Sequence, residues 1–297
     1  MLDITIRRSA WRRSSALISG LTLHSLLLLS SGTALAEIPQ AVIPAQTYWL
    51  GCSPGDNECD IDEGIRRQGV IHPVQVSVAA FRIDRHETSV AEYRECVEAG
   101  ACSKPFDFRR THYCNYDAPG RDNYPQNCIN WFQAQRYCEW RGKRLAYDVE
   151  WEAAARAGST DAHPWGAQPA SCKTAVMDPG HPTKPDTVTD GCWRDLSWPR
   201  GSFAPNQYGL YDMVGGTAEW LMDWYDMDAH QKYYAKGQLT GPDTGELKVI
   251  KGGAWDEEAW AQRVSNRFAK PQTGNPDLYG SNGIRCVTPL LPQPLAD

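Results

Sequence analysis

The sequence predicts an α+β fold with little regular secondary structure, in which disulfide bonds and buried aromatic rings compensate for few strands and helices. Three observations support this prediction. The 297 residues contain ten cysteines, an even number typical of a disulfide framework in exported proteins. They also contain twelve tryptophans, which supply a large buried area per residue. Finally, short capped helices and alternating strands are separated by long stretches of proline, glycine and polar residues.

Residues 1–36 have the pattern of a secretory signal peptide. Four arginines precede the apolar run 16–29, and the segment ends in Ala34-Leu35-Ala36. A membrane anchor is the alternative, but the run is short and polar residues interrupt it. The general secretory route is favoured, although the arginine pairs are also compatible with the twin-arginine route. We therefore expect one domain over residues 37–297, periplasmic or secreted, and not attached to a membrane after removal of the leader.

The charge of the chain limits the classes of molecule that it can bind. The chain carries a net charge of −6, and basic clusters are absent from the sequence beyond the leader. Nucleic acids and anionic membranes attract proteins with basic surfaces, so this pattern argues against both. The expected partner is an unidentified protein or small-molecule ligand.

All ten cysteines follow the leader, and most fall into local pairs. Pairing neighbours leaves Cys138 and Cys286, which are far apart in sequence, to be joined in space. The predicted bonds are Cys52–Cys59, Cys96–Cys102, Cys114–Cys128, Cys172–Cys192 and Cys138–Cys286. A metal site is the alternative use of cysteines, but the sequence has no CxxC or HxxxH spacing. No metal ligands are predicted.

The first half of the domain contains the clearest elements. Alternation of apolar and polar residues predicts one strand over 41–51 and another over 74–83. Ser89 and Glu92 form a capping box, which predicts a helix ending near Ala99. The stretch 102–127 is polar and aromatic without periodicity, so we expect a surface insertion there.

Two further helices follow, and the rest is mainly irregular. Asn130, with Gln133 three residues later, caps the second helix, and Cys138 lies on its buried face. The third helix is predicted over Asp148–Ala157. Residues 159–206 are expected to be mostly loop. Short extended pieces at glycine turns are expected over 208–224 and from residue 249 onward.

Five stretches in order resemble the formylglycine-generating (sulfatase-modifying factor) family. They are FRIDRHETSVAEY, NCINWFQAQRYCEWRGKRL, WEAAARAG, PNQYGLYDMVGGTAEW, and KGGAW followed by GIRC, and they span nearly all of residues 37–297. The resemblance implies a variant of the C-type lectin-like fold. It also implies a disulfide between Cys138 in RYCEW and Cys286 in GIRC.

The family's metal-binding residues are largely replaced. The resemblance assigns two copper-binding cysteines to positions held here by Glu257 and Gln262, and neither side chain is a soft ligand for Cu(I). Copper is therefore not expected. One family calcium site has lost its asparagine at Gly216 but keeps Glu219, and the other has Ala175 in place of an asparagine. Calcium is conceivable only near Glu219.

The candidate site residues lie after the Gly252–Gly253 turn. Glu257 is the candidate catalytic residue, as a general base at a former copper position. Its neighbours Trp255 and Asp256 are candidate ligand-binding residues. The alternative for these carboxylates is an ordinary solvated acidic loop. The candidate ligand-binding residues further along the loop are Arg263, Asn266 and Arg267, which can bind a carboxylate or a peptide backbone; equally, they can be internal ties of the loop.

These residues favour an exported binding or accessory protein without cysteine-to-formylglycine oxidase activity. The alternative is a divergent maturation enzyme of oxidoreductase type, because cysteine-poor members of the family include a periplasmic protein of siderophore maturation. Genuine formylglycine generation is the least favoured interpretation, since it needs the missing thiols.

Overall fold

Runs of short strands and runs of short helices follow one another along the chain, as expected for the predicted α+β class. The computed structural model describes residues 36–56, 73–106, 112–180, 190–273 and 280–290. The strands in these ranges are β1 Gln40–Ile43, β2 Gln46–Leu50, β3 Val74–Val78, β4 Phe81–Asp84, β5 Arg144–Leu145, β6 Ala218–Trp224, β7 Leu247–Lys251, β8 Phe268–Pro271, β9 Asn282–Gly283 and β10 Cys286–Pro289. The helices are α1 Val90–Glu98, α2 Trp131–Trp140, α3 Asp148–Arg156, α4 Asp190–Trp193 and α5 Ala229–Lys232, with 3-10 turns at Tyr234–Lys236 and Ala259–Ala261.

The strands form three small sheets in the described part of the chain. The first has the order β1-β4-β10-β5, with antiparallel neighbours throughout. The second is the antiparallel pair β2–β3. The third has the order β8-β7-β6-β9, in which β6 and β9 run parallel. The last strand in chain order, β10, thus lies in the interior of the first sheet.

The three predicted helices are confirmed, and the first two begin at the capping boxes that the sequence predicts. Ser89 Oγ accepts from the backbone N–H of Glu92 at 3.1 Å, and the Glu92 carboxylate accepts from the backbone N–H of Ser89 at 2.8 Å. Asn130 and Gln133 make the same reciprocal pair at 2.9 and 3.0 Å at the start of α2. The third helix ends one residue earlier than predicted, because Ala157 adopts a left-handed conformation with φ of 47°.

The two predicted strands are each split in two, which corrects the prediction. The segment 41–51 contains β1 and β2, and the segment 74–83 contains β3 and most of β4. The breaks fall at Pro44-Ala45 and at Ala79-Ala80. In both cases the first and second halves belong to different sheets, so the chain crosses between sheets at a short break that alternation alone does not reveal.

The prediction of a surface insertion over 102–127 is wrong for its C-terminal part. Asn115, Gln126 and Asn127 are fully buried. The Asn127 side chain accepts from the backbone N–H of Asn115 at 2.9 Å and donates to the carbonyl of Gly280 at 2.7 Å. These amides take the place of sheet hydrogen bonds in a region without strands, which is why polar residues are buried here.

Disulfide bonds connect the elements as the cysteine spacing predicts. Four predicted pairs are present in the described residues: Cys96–Cys102, Cys114–Cys128, Cys138–Cys286 and Cys172–Cys192. The third joins α2 to β10 across 148 residues. Cys52 is also disulfide-bonded, while its predicted partner Cys59 lies outside the described residues. No cysteine in the described part of the chain is free.

The apolar core consists mainly of two clusters. Trp151 of α3 lies in one cluster, with Ile43, Ile83 and Val287 of the first sheet. Trp220 of β6 lies in the other, with residues of α1 and α2. Residues 38–297 form one compact unit. The predicted leader lies outside the described residues except for Ala36, and the described helices include none long and apolar enough to span a bilayer.

Candidate functional site

Two interlocked glycine turns position the GGAW corner, which follows β7. Gly252 and Gly253 have φ values of +100° and +65°, which side chains disfavour. The backbone N–H of Gly215 donates to the Gly252 carbonyl at 2.8 Å, and that of Trp255 donates to the Gly216 carbonyl at 3.0 Å. The two turns therefore fix the direction in which the chain leaves the sheet, and with it the position of Trp255.

A cleft of about 340 Å³ lies beside this corner. Trp255 is 3% exposed and forms part of its wall, and its ring centroid is 5.7 Å from that of Tyr113. The backbone N–H of Gly191 donates to the Trp255 carbonyl at 2.6 Å, which holds the preceding Asp190 at the cleft. The lining residues are His112, Tyr113, Asp190, Asp195, Trp255, Asp256, Lys270, Gly280 and Ser281.

The electrostatics of the cleft are dominated by carboxylates. Burial raises the pKa of Asp190 to about 6, and repulsion from Asp178, Asp256 and Asp195 adds to the rise. Asp195 forms an ion pair with His112. Lys270 is the cation of the wall; desolvation lowers its pKa, and its Nζ donates to Asn282 Oδ1 at 3.1 Å. The cleft therefore carries a surplus of negative charge.

Glu257 lies next to the cleft wall, behind Asp256. Burial raises the pKa of Glu257 to about 7, and the Asp256 carboxylate raises it further, while Lys270 opposes the rise. Its Oε2 atom is buried and has no hydrogen-bond partner among the described residues. A carboxyl group that titrates near neutral pH can both accept and donate a proton, which is the property of a general acid–base catalyst.

The structure brings together only part of the predicted site. Trp255 and Asp256 line the cleft and Glu257 adjoins it. The candidate ligand-binding residues Arg263, Asn266 and Arg267 lie outside the cleft, and all three are fully buried.

The partners of these three residues are internal. Arg263 pairs with Asp56, and Arg267 Nε contacts Asp148 Oδ2 at 2.5 Å. Asn266 Nδ2 donates to the Trp260 carbonyl at 2.5 Å. They are the internal ties that the sequence left as an alternative, and none of them is available to a ligand.

Sequence reasoning missed most of the cleft wall. Tyr113 and Asp190 come from regions assigned to surface insertion and loop, and their types and spacing match no motif. The available signal was proximity to crosslinks, since Tyr113 precedes Cys114 and Asp190 lies two residues before Cys192. Lys270 and Ser281 carried no such signal.

The comparisons with known proteins identify the family. Residues 40–290 match the family described as "Sulfatase-modifying factor enzyme 1-like domain". The chain belongs to this family. Formylglycine-generating enzyme of Bos taurus is 34% identical to it, over 84% of this chain and 74% of that protein.

Two further proteins that are similar to this chain are a relative named inactive and a solved structure. "Inactive C-alpha-formylglycine-generating enzyme 2" of Bos taurus is 33% identical, over 56% of this chain and 50% of that protein. The structure of PvdO from Pseudomonas aeruginosa superposes with a TM-score of 0.65 at 24% identity, over 84% of this chain and 94% of that one. The second likeness shows that the fold is the C-type lectin-like variant of formylglycine-generating enzymes, stapled by disulfides.

The residues at the two positions that the sequence resemblance assigns to copper do not fit copper. Glu257 stands at one position, and at the other Gln262 is fully buried. The Gln262 amide donates to the carbonyls of Ala254 and Glu257 at 3.0 and 3.1 Å. Oxygen and amide nitrogen are hard donors, whereas Cu(I) is held by sulfur.

The residues around Glu219 do not fit calcium. Its Oε1 accepts from Arg285 Nε at 2.8 Å, and its Oε2 accepts from Trp151 Nε1 at 2.6 Å. Both oxygens are thus engaged by donors, and the Arg285 guanidinium repels a divalent cation. In the described part of the chain, no group of three or more His, Cys, Asp or Glu residues is placed to hold a metal ion.

Proposed function

We propose that this chain is an exported binding or accessory member of the sulfatase-modifying factor family, without cysteine-to-formylglycine oxidase activity. One observation carries the proposal: the GGAW corner, where the family resemblance locates its copper-binding thiols, contains Glu257 and Gln262 instead. The cysteines of the described residues are all in disulfides, so none of them supplies a thiolate nearby. The bovine relative named inactive supports the existence of such members.

Export and ligand binding rest on further features. Extensive disulfide bonding is favoured in oxidising compartments, which supports a periplasmic or secreted location together with the leader pattern of residues 1–36. The cleft beside Trp255 supports binding of a small molecule or a segment of a partner protein. The acidic charge of the chain makes nucleic acid an unsuitable partner.

A copper assay on the purified, oxidised protein tests the first half of the proposal. We expect no stoichiometric Cu(I) uptake in competition with a chromogenic chelator, and no aldehyde in a cysteine-containing sulfatase peptide. The matched variant is Glu257→Cys/Gln262→Cys, whose two positions are adjacent because Gln262 Nε2 contacts the Glu257 carbonyl at 3.1 Å. This variant should gain Cu(I) binding. Stoichiometric Cu(I) on the unaltered protein, or aldehyde formation, contradicts the proposal.

Glu257 favours a second candidate, a divergent maturation enzyme that uses general acid–base chemistry. Its raised pKa of about 7 and its unpartnered Oε2 support this role. The test is complementation of a deletion strain by Glu257→Gln, with Glu258→Gln at the exposed next position as the control. Loss of function in the first variant alone favours the enzyme. Full complementation by Glu257→Gln rules out proton transfer by this carboxyl group.

A further inference from the structure

One wall of the cleft has a backbone conformation that its residues disfavour. Asp190 and Asp195 line the cleft at the two ends of the segment 190–195. Within this segment, Cys192, Trp193 and Asp195 have φ values of +54°, +75° and +55°. Glycine adopts such left-handed angles readily, whereas residues with a side chain do so only where their surroundings impose them. The shape of this wall therefore depends on contacts with the rest of the domain.

Hydrogen bonds supply part of these contacts. The backbone N–H of Gly191 donates to the Trp255 carbonyl at 2.6 Å, and the Gly191 carbonyl accepts from Trp198 Nε1 at 2.8 Å. The backbone N–H of Cys192 donates to the Met177 carbonyl at 2.8 Å. Each of these bonds contributes little net stability, because water replaces the protein partner when the segment opens.

The remaining contacts are a disulfide bond and a small apolar cluster. Cys192 is bonded to Cys172, which lies 20 residues earlier. The buried members of the cluster in the described part of the chain are Ala170, Met177 and Cys192. A cluster of this size removes little apolar surface from water, so the disulfide bond contributes a large part of the constraint on the segment.

The Cys172–Cys192 bond is also accessible to a reducing agent. Cys172 is partly exposed, whereas two other bonds have both cysteines buried; these are Cys96–Cys102 and Cys138–Cys286. Reduction requires a thiolate to reach one of the two sulfur atoms, so exposure at Cys172 favours it. The disfavoured backbone adds to this tendency, because reduction allows the segment to relax.

We propose that the Cys172–Cys192 bond is a redox-sensitive crosslink of the cleft wall, which a dithiol reductant opens. A thiolate of the reductant attacks the Cys172 sulfur, the disulfide breaks, and the Cys192 sulfur leaves with the electron pair. The second thiol then displaces Cys172 from the mixed disulfide. The chain gains two electrons and, from the two thiols of the reductant, two protons, and the reductant becomes a disulfide.

Reduction then releases the wall. The segment 190–195 leaves its left-handed conformation, and Asp190 and Asp195 move away from the cleft. The pair between Asp195 and His112 does not prevent this movement, because the His112 side chain is mostly exposed and exposed ion pairs contribute little. The consequence for ligand binding rests on the binding function proposed above, whereas the opening itself is measured without a ligand.

A reduction time course measures the reactivity of the bond. The folded protein is treated with dithiothreitol, and the free thiols are alkylated and located by mass spectrometry. We expect the Cys172–Cys192 bond to open at least about tenfold faster than the two buried bonds, before any loss of far-ultraviolet circular dichroism. The Cys114–Cys128 bond is followed separately, because Cys114 is also partly exposed. Reduction of Cys172–Cys192 no faster than that of Cys138–Cys286 would overturn the inference.

Hydrogen exchange measures the release of the wall. The amides of Gly191 and Cys192 are hydrogen-bonded in the closed wall, so they should exchange at least about tenfold faster in the selectively reduced protein and in Cys172→Ser/Cys192→Ser. The control Cys96→Ala/Cys102→Ala removes a crosslink beside α1 and should leave both amides protected. Unchanged protection in the reduced protein would show that the wall closes without the disulfide, and the inference would fail.

A glycine substitution separates backbone strain from loss of the crosslink. Trp193 is 57% exposed, so Trp193→Gly removes little packing and makes the left-handed angle acceptable. In the Cys172→Ser/Cys192→Ser background, the Gly191 amide should exchange about threefold more slowly with Trp193→Gly than with Trp193→Ala, which keeps the strain. Equal exchange in the two would contradict relaxation of the backbone as the cause of opening.

The copper assay distinguishes failure of this inference from failure of the proposed function. Unchanged hydrogen exchange on reduction together with absence of Cu(I) uptake removes only the inference about the crosslink. Cu(I) uptake by the unaltered protein removes the proposed function, whatever the exchange rates of the wall.

Discussion

The two halves of the loop Trp255–Arg267 differ in what they contact. In the first half, Trp255 and Asp256 line the cleft. In the second half, Arg263 and Arg267 are buried in ion pairs with Asp56 and Asp148. The difference indicates a division of tasks: the second half anchors the loop to the domain, and the first half forms part of the cleft wall.

The anchor at Asp148 is a charge network rather than a single pair. Burial by itself raises the pKa of Asp148, but Lys251 and Arg267 outweigh burial and hold it well below the usual range. Lys251 Nζ lies 3.1 Å from Asp148 Oδ1 and 2.7 Å from Glu152 Oε2. A buried charge network of this kind stabilises the fold only while every partner is present, because each ion is already removed from water.

Removing Arg267 from this charge network should lower the stability of the fold most. Arg267→Met removes one of the two cations paired with Asp148 and should lower the free energy of unfolding by about 3 kcal/mol. Urea unfolding with the disulfides intact measures the loss. The control is Lys232→Met, which removes exposed pairs with Asp226 and Asp228 and should cost far less than the loss of Arg267. Equal costs for the two variants would mean that burial does not distinguish the pairs.

A substitution in the turn between β7 and the loop should lower the stability of the fold by an intermediate amount. A Cβ at Gly253 would lie 2.6 Å from Gln262 Oε1 and 2.8 Å from the Ala261 carbonyl, whereas a Cβ at Gly142 would meet nothing within 4 Å. Their φ values are similar, +65° and +69°. Gly142→Ala should therefore cost only the backbone strain of about 1 kcal/mol, and Gly253→Ala about 1 kcal/mol more. Thermal unfolding of the pair measures the difference, and similar melting temperatures would contradict the contacts.

A substitution in the first half of the loop should change the stability of the fold least, and the size of this change should depend on pH. Because the pKa of Glu257 is raised to about 7 in the folded state, the folded protein binds its proton more tightly than the unfolded chain does. Stability associated with this group is therefore present below about pH 4.5 and decreases as the pH rises through 7. Glu257→Gln should be more stable than the parent by about 1 to 2 kcal/mol at pH 8 and equal to it near pH 4.

Glu258→Gln is the control for this pH series, since its position is exposed. The free energy of unfolding of this variant should stay within about 0.5 kcal/mol of the parent across the range. A stability difference for Glu257→Gln that does not change with pH would show that the carboxyl group titrates normally in the folded protein.

Features set by local sequence were predictable, and features set by distant partners were not. The capping boxes at Ser89 and Asn130 act within four residues, so the sequence located both helices. By contrast, Pro44 marks a break after Ile43 in the sequence, but only the structure shows that the two flanking strands belong to different sheets. Alternation records which face of a strand is buried but not which strand lies beside it.

The candidate site was predicted in part for the same reason. Trp255, Asp256 and Glu257 follow a glycine pair that marks the corner in the sequence itself. For Arg267 the sequence leaves both ligand binding and an internal tie open, because its partner Asp148 is 119 residues away and nothing near Arg267 marks it. Lys270 lies at the cleft because β8 pairs with β7, and Ser281 lies there because its loop runs beside Tyr113. Only the assembled structure shows these two arrangements.

The interior position of β10 has a consequence for the order of synthesis. Its neighbours β4 and β5 are made far earlier, but each has its edge closed only by residues 286–289, and the Cys138–Cys286 bond also requires this strand. Until the final strand emerges, two hydrogen-bonding edges and one thiol of α2 remain open to other chains. A chain that lacks this strand is therefore the form most exposed to wrong pairing and to proteolysis.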